Sequence, residues 1–138
     1  MSLLDVANED LEVSFSNTSG PGDLAGGADQ TLSTEMTAGT STKCKAVGVN
    51  ICTGTIDAVW TAVSGCPWTS ATHTFIAGVG QITATATKTK AENVLVLRKT
   101  DAGVCAGSWL QIADGVTVVA CTCDMEIADA GQTKVKAQ

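Results

Sequence analysis

Gln81-Ile82-Thr83-Ala84-Thr85-Ala86-Thr87-Lys88 is the stretch on which the fold turns. Ile82, Ala84 and Ala86 fall on one side of an extended chain, and Thr83, Thr85 and Thr87 fall on the other. A period of two is the mark of a strand with one face buried and one face wet. Threonine reinforces it, because branching at Cβ restricts χ1 in a way that suits a pleated sheet better than a helix.

The same grammar recurs outward from this stretch. Residues 11–15 alternate apolar and polar side chains, and residues 46–52, 55–63, 116–123 and 133–137 read as further strands. Residues 93–99 are apolar on both faces at Val94, Leu95, Val96 and Leu97, which predicts a central strand. Gly65-Cys66-Pro67, Gly78-Val79-Gly80, Asp101-Ala102-Gly103 and Asp114-Gly115 supply turn chemistry between them. No capped helical stretch of useful length interrupts the series. The expected class is mainly β.

Two parts are expected along the chain. Residues 1–42 read as an extended or loop-like N-terminal arm, rich in Gly, Ser, Thr and Asp, with a turn through Asn17-Thr18-Ser19-Gly20-Pro21-Gly22. Within it, residues 26–42 carry too little to bury and are expected to wrap over a surface. Asn17-Thr18-Ser19 matches a glycosylation sequon, which has no use without secretion. Residues 43–138 form the β-rich domain. The pattern Thr-Lys-x-Lys-Ala occurs twice, from Thr87 to Ala91 and from Thr133 to Ala137.

A chain of 138 residues suits one domain. Its 44 % hydrophobic share leans on Ala and Val, with two Phe, three Trp and no Tyr, so the core is expected to be thin and to need cross-links or a partner. Charged residues are 16 % of the chain and the formal net charge is −6, which argues against nucleic acid as a partner. The basic run Lys88, Lys90, Arg98, Lys99 reads as a solvated face. No apolar run approaches the ~20 residues that cross a bilayer. Met1-Ser2-Leu3-Leu4-Asp5 turns acidic at once, unlike a secretory signal, so synthesis in the cytoplasm and delivery by some other route are expected.

Six cysteines stand at 44, 52, 66, 105, 121 and 123, beside one histidine, His73. Six thiols allow about 15 disulfide connectivities in an oxidising setting, while a cytoplasmic origin favours thiols or metal. Cys121-Thr122-Cys123 would project both sulfurs to one face of a strand. With Cys105 and His73 they make a chemically sound tetrahedral site for zinc or iron, since such metals accept sulfur and imidazole nitrogen. Disulfides, a metal site and buried thiols all stay open. A single histidine, scattered carboxylates and no phosphate-binding loop between strand and helix speak against an enzyme or a small-molecule substrate.

Gly78-Val79-Gly80-Gln81-Ile82, Thr87-Lys88-Thr89-Lys90, the run from Asn93 to Asp101 and then Cys105 resemble a PAAR-type unit. Cys105-Ala106-Gly107-Ser108-Trp109 and Ile127-Ala128-Asp129-Ala130-Gly131-Gln132 resemble the end of PAAR-like relatives, so the likeness covers residues 43–138. The Pro-Ala-Ala-Arg signature itself is replaced by Val96-Leu97-Arg98, and His73 alone is available where such metal sites use more histidine. The resemblance implies a small cone of short β-hairpins that caps the trimeric spike of a contractile phage tail, type VI secretion system or related injection machine. It implies a bound metal near the apex, and as partners the trimeric spike and the target cell envelope. The other readings are a virion decoration or tail-fibre protein, whose long arm laces onto neighbours, and a secreted adhesin using Trp60, Trp68 or Trp109 as stacking surfaces.

Overall fold

The computed structural model describes residues 3–24, 29–61 and 67–138. Strand makes up 64 % of it and helix is absent, as the threonine-rich alternation requires. In chain order the strands are β1 (Leu4–Asp5), β2 (Glu12–Ser19), β3 (Asp23–Leu24), β4 (Gln30–Thr31), β5 (Met36–Ala46), β6 (Val49–Thr61) and β7 (Trp68–Thr69). They continue as β8 (His73–Thr83), β9 (Lys90–Ala91), β10 (Val94–Leu95), β11 (Ala102–Gln111), β12 (Val118–Asp129) and β13 (Lys136–Ala137).

Seven of these make one antiparallel sheet in the order β4-β2-β12-β11-β8-β6-β5. From β5 to β12 the long strands follow one another as a meander, and the N-terminal β2 then pairs with β12. The sheet curls until its two sides meet. Trp60 of β6 donates its indole N–H to Gln30 Oε1 of β4, on the opposite edge of the sheet, at 3.1 Å.

Inside the curl lie all five aromatic residues of the chain, joined in one series. Phe15 meets Trp60 edge-on at 5.8 Å, Trp60 meets Trp68 at 5.5 Å, Trp68 stacks on Phe75 at 5.7 Å, and Phe75 meets Trp109 edge-on at 5.2 Å. These are the separations at which ring quadrupoles attract. Leu11, Val13, Met36, Ile56, Ile82, Leu97, Met125 and Ile127 complete this core. The core is small, but each bulky side chain in it is used, at roughly 1.5–3 kcal/mol for each fully buried one.

One end of the curl is closed. The segment between β8 and β11 crosses it, with Leu97 in the main core and Val96 in a second cluster made with Val6, Ala46, Ile51, Ala86, Ala91 and Ala137. Buried polar side chains tie this closure to both termini. Gln132 donates to the carbonyls of Val6 and Val135 and accepts from the amides of Lys134 and Val135. Asn8 donates to the Ala46 carbonyl, and Asp101 accepts from the Arg98 amide and from Thr85. Gln132, Asn8 and Asp101 each find partners, which is what makes their burial tolerable.

Several expectations change in the folded chain. Residues 12–19 and 36–46 are strands of the main sheet rather than an extended arm, and the boundary expected at 42/43 falls inside β5. Few as they are, Leu11, Val13, Phe15 and Met36 all enter the core, which is why these segments are strands. The strand expected over 46–52 is broken by a hairpin at Val47 and Gly48, both at positive φ (53° and 77°), the backbone of a two-residue primed turn. Valine rarely takes that conformation, so nothing in the sequence announces the turn.

The alternation from Ile82 to Thr87 holds in burial, although ladder pairing in β8 ends at Thr83. Gly78-Val79-Gly80 is the middle of β8, not a turn. Gly78 faces Gly107 across the ladder, and the Phe75 ring fills the space both leave; a Cβ at either would stand within 3.0 Å of it. The two-sided apolar run at 93–99 is a short β10 followed by the plug. Its faces are both apolar because it lies between two clusters, not because it is central in a sheet. The turn expected at 101–103 forms earlier, at Lys99 and Thr100, whereas that at Asp114-Gly115 forms as expected. Gly65 and Cys66 lie outside the described residues.

Trp60 holds two of the four ring contacts. Trp60→Ala is expected to lose about 3–5 kcal/mol in urea denaturation, while Val116→Ala, at a site 77 % exposed, stays within about 0.5 kcal/mol of the parent.

Candidate functional site

Cys105 on β11 and Cys123 on β12 are register partners with Cα atoms 5.4 Å apart, and they form a disulfide. Cys121 sits two residues before Cys123 on the same buried side of β12, as the two-residue period dictates. It faces Gly107, and its thiol is free. Burial pushes the Cys121 thiol up. The three cysteines thus pave one strip of the interior, next to Met125 and Trp109.

His73 lies elsewhere. It opens β8 opposite Gln111, seven residues along the strand from Gly80, the partner of Cys105. At about 3.3 Å per residue that is roughly 20 Å. Its Nδ1 is 2.8 Å from Thr72 Oγ1, and its amide donates to Ser70 Oγ at 3.1 Å. As arranged, His73, Cys105, Cys121 and Cys123 do not form one ligand set for zinc or iron: two sulfurs are bonded to each other and the imidazole is remote. Among the described residues no group of three or more His, Cys, Asp or Glu side chains converges as metal ligands would.

Cys52 is fully buried, and burial, with the nearby Glu9 charge adding to it, pushes its thiol up to about 12. Cys44 is half-buried beside the second cluster. Trp60, Trp68 and Trp109 are 0 %, 2 % and 2 % exposed, so none offers an indole face for sugar stacking.

Two surface features are assembled only by folding. The first is the outer wall of β6, β8 and β11. Register sets Val59, Val79 and Ala106 in one row and Asp57, Gln81, Val104 and Asp124 in the next. Asp57, Val59, Val79, Gln81, Val104 and Ala106 line a shallow groove of about 510 Å³. The strands β2, β6, β8, β11 and β12 carry carboxylates (Glu12, Asp57, Asp124, Glu126, Asp129) and no Lys or Arg.

The second is the closed end. All eight cations of the chain, at 43, 45, 88, 90, 98, 99, 134 and 136, lie on segments that meet around the second cluster. Lys136 pairs with Asp5, and Arg98 donates to Thr85 and to the Ala137 carbonyl. The other six are exposed lysines. The sequence shows the run from Lys88 to Lys99; Lys43 and Lys45 precede it by more than 40 residues and Lys134 and Lys136 follow it by 35 or more, so only the tertiary fold collects them.

No family model, no curated protein and no solved structure matches the chain. The PAAR-type likeness therefore stands on its residue pattern.

Among the cysteines of the described residues, alkylation of the native protein without reductant is expected to reach Cys44 first and to spare Cys52 and Cys121, with Cys105 and Cys123 labelled only after reduction. Peptide mapping checks this, and native labelling of Cys105 would remove the cross-link. Reduction is expected to lower stability by about 2–4 kcal/mol. The raised Cys52 pKa adds a pH term with a definite sign. Its neutral buried thiol contributes fully below the ordinary thiol range near 8.5. That contribution is lost as pH rises from there through about 12, so alkaline unfolding of the parent should be steeper than that of Cys52→Ala.

Proposed function

We propose that the chain is a non-catalytic structural tip protein that caps the trimeric central spike of a contractile tail or injection apparatus. The observation that carries this reading is the closed end of the curled sheet. There the segment with the PAAR-type pattern, the N-terminal segment and the C-terminal segment meet, locked by Asn8, Asp101 and Gln132. A cap that passes an axial load to a target envelope needs an end that does not splay. Buried, hydrogen-bonded side chains of Asn8, Asp101 and Gln132 beside a packed plug supply that stiffness. The disulfide between neighbouring strands works in the same direction. A metal at Cys105, Cys121 and Cys123 would require that bond to open, so metal content after reduction is a separate measurement from spike binding.

A second reading, a repeated virion component such as a decoration or tail-fibre protein, is favoured by one observation: all eight cations gather at the closed end, while the long strands β2, β6, β8, β11 and β12 carry carboxylates and no Lys or Arg. An adhesin would have to bind through groups other than the three buried tryptophans.

Native mass spectrometry of the chain mixed with a trimeric spike protein from the same source tests the cap. One copy per trimer is the expected result, and Gln132→Ala is expected to weaken it together with the closed end. Failure to bind while the chain forms complexes with itself would replace the first reading by the second.

A further inference from the structure

We propose that copies of this chain associate head to tail, the lysine-bearing closed end of one seated on the valine-and-carboxylate groove of the next. The proposal does not rest on the spike-cap reading, in which the neighbour is a different chain.

Both halves of the contact are on one molecule. The closed end presents Lys43, Lys45, Lys88, Lys90, Lys99 and Lys134. Exposed Val47, Val94 and Val135 stand among them. Among the acids of this end, Glu92 is engaged by the Ser41 hydroxyl at 2.7 Å and Asp5 by Lys136, while Glu9 and Asp10 are exposed on the N-terminal segment, so the end is basic by excess rather than free of carboxylates. The groove presents the opposite charge on a like apolar ground. Val59, Val79 and Val104 are each more than half exposed, and Asp57 and Asp124 stand at the two ends of the row that contains Val104, Asp57 accepting from Thr55 and Gln81 on the same surface.

A copy of this chain is the occupant that the surface chemistry favours. Exposed valines on three adjacent strands form a contiguous patch rather than scattered single residues, and such patches mark contact sites. Lysines around aliphatic side chains match a groove in which carboxylates flank valines, so apolar area is covered and both carboxylates meet lysines. The two surfaces differ, so the contact is heterologous: a dimer made this way keeps one free closed end and one free groove. Growth beyond two copies, closed or open, follows from that geometry.

Sedimentation velocity of the full chain at about 0.01 M and about 1 M ionic strength, where charges are screened beyond about 30 Å and about 3 Å, reads the association. The expected result is a mass above the 14.0 kDa of one chain at low salt and a return to one chain at high salt. A double reversal at the end, Lys88→Glu with Lys90→Glu, and a double reversal on the wall, Asp57→Lys with Asp124→Lys, should each leave a monomer at low salt. Mixed one to one, the two variants should associate again, because each retains the surface the other has lost. All four sites are exposed, and unchanged circular dichroism and thermal midpoints confirm that the variants fold. A parent chain that stays monomeric at low salt overturns the proposal. So does undiminished association of either variant, or a mixture that fails to recover. A closed end that binds heparin or nucleic acid while the chain shows no self-association assigns the lysines to a polyanion and also overturns it.

Discussion

The fold depends on the closure of one sheet around a single series of aromatic rings. Phe15, Trp60, Trp68, Phe75 and Trp109 come from β2, β6, β7, β8 and β11, and no two are neighbours in sequence. The Phe15–Trp60 contact in particular joins β2 to β6, strands separated in the sheet by β12, β11 and β8. A flat seven-stranded sheet would expose this face to water; curling is the way to bury it without a second layer. The glycines at 78 and 107 belong to the same constraint, since the Phe75 ring occupies the room that side chains there would need.

Once the sheet closes, the secondary features follow. The segment from Ala84 to Asp101 has to cross the open end, and it does so with apolar residues turned both ways, into the ring core and into the small cluster beneath the termini. Asn8, Asp101 and Gln132 satisfy the backbone groups that this crossing would leave unpaired. Cross-strand register then places Cys105 against Cys123. The shortage of bulky residues is met by concentration: one core holds every aromatic ring, with a disulfide across its wall.

The cysteines illustrate how local spacing under-determines chemistry. Cys121 and Cys123 do share a face, as their spacing demands, yet the partner of Cys123 comes from the adjacent strand. His73, 32 residues before Cys105, is carried to the other end of β8 by the same antiparallel register. A residue list compatible with zinc or iron is thus divided by the pairing of strands. In the same way, eight cations that look dispersed along the chain meet at one end, while the long strands β2, β6, β8, β11 and β12 carry five of the fourteen carboxylates and no cation.

The class of the protein was legible in the sequence because the signal is local. A two-residue period and β-branched side chains act within a single strand, and the buried alternation at Ile82, Ala84 and Ala86 is found where it was read. Asp114-Gly115 was legible for the same reason, since a glycine at positive φ after an aspartate that caps its own turn needs no distant partner. The hairpin at Val47, the role of Gly78, the joining of residues 12–19 and 36–46 to the sheet, and the place of the run at 93–99 were not legible. Each is settled by what packs against it: a primed turn forced on a valine, a phenylalanine ring over two glycines, a neighbouring ladder, and apolar clusters on both sides. Sequence alone determined that this chain makes strands with one face to bury. Tertiary structure decided which residues that face encloses and which charges it gathers outside, because both depend on contacts between residues tens of positions apart.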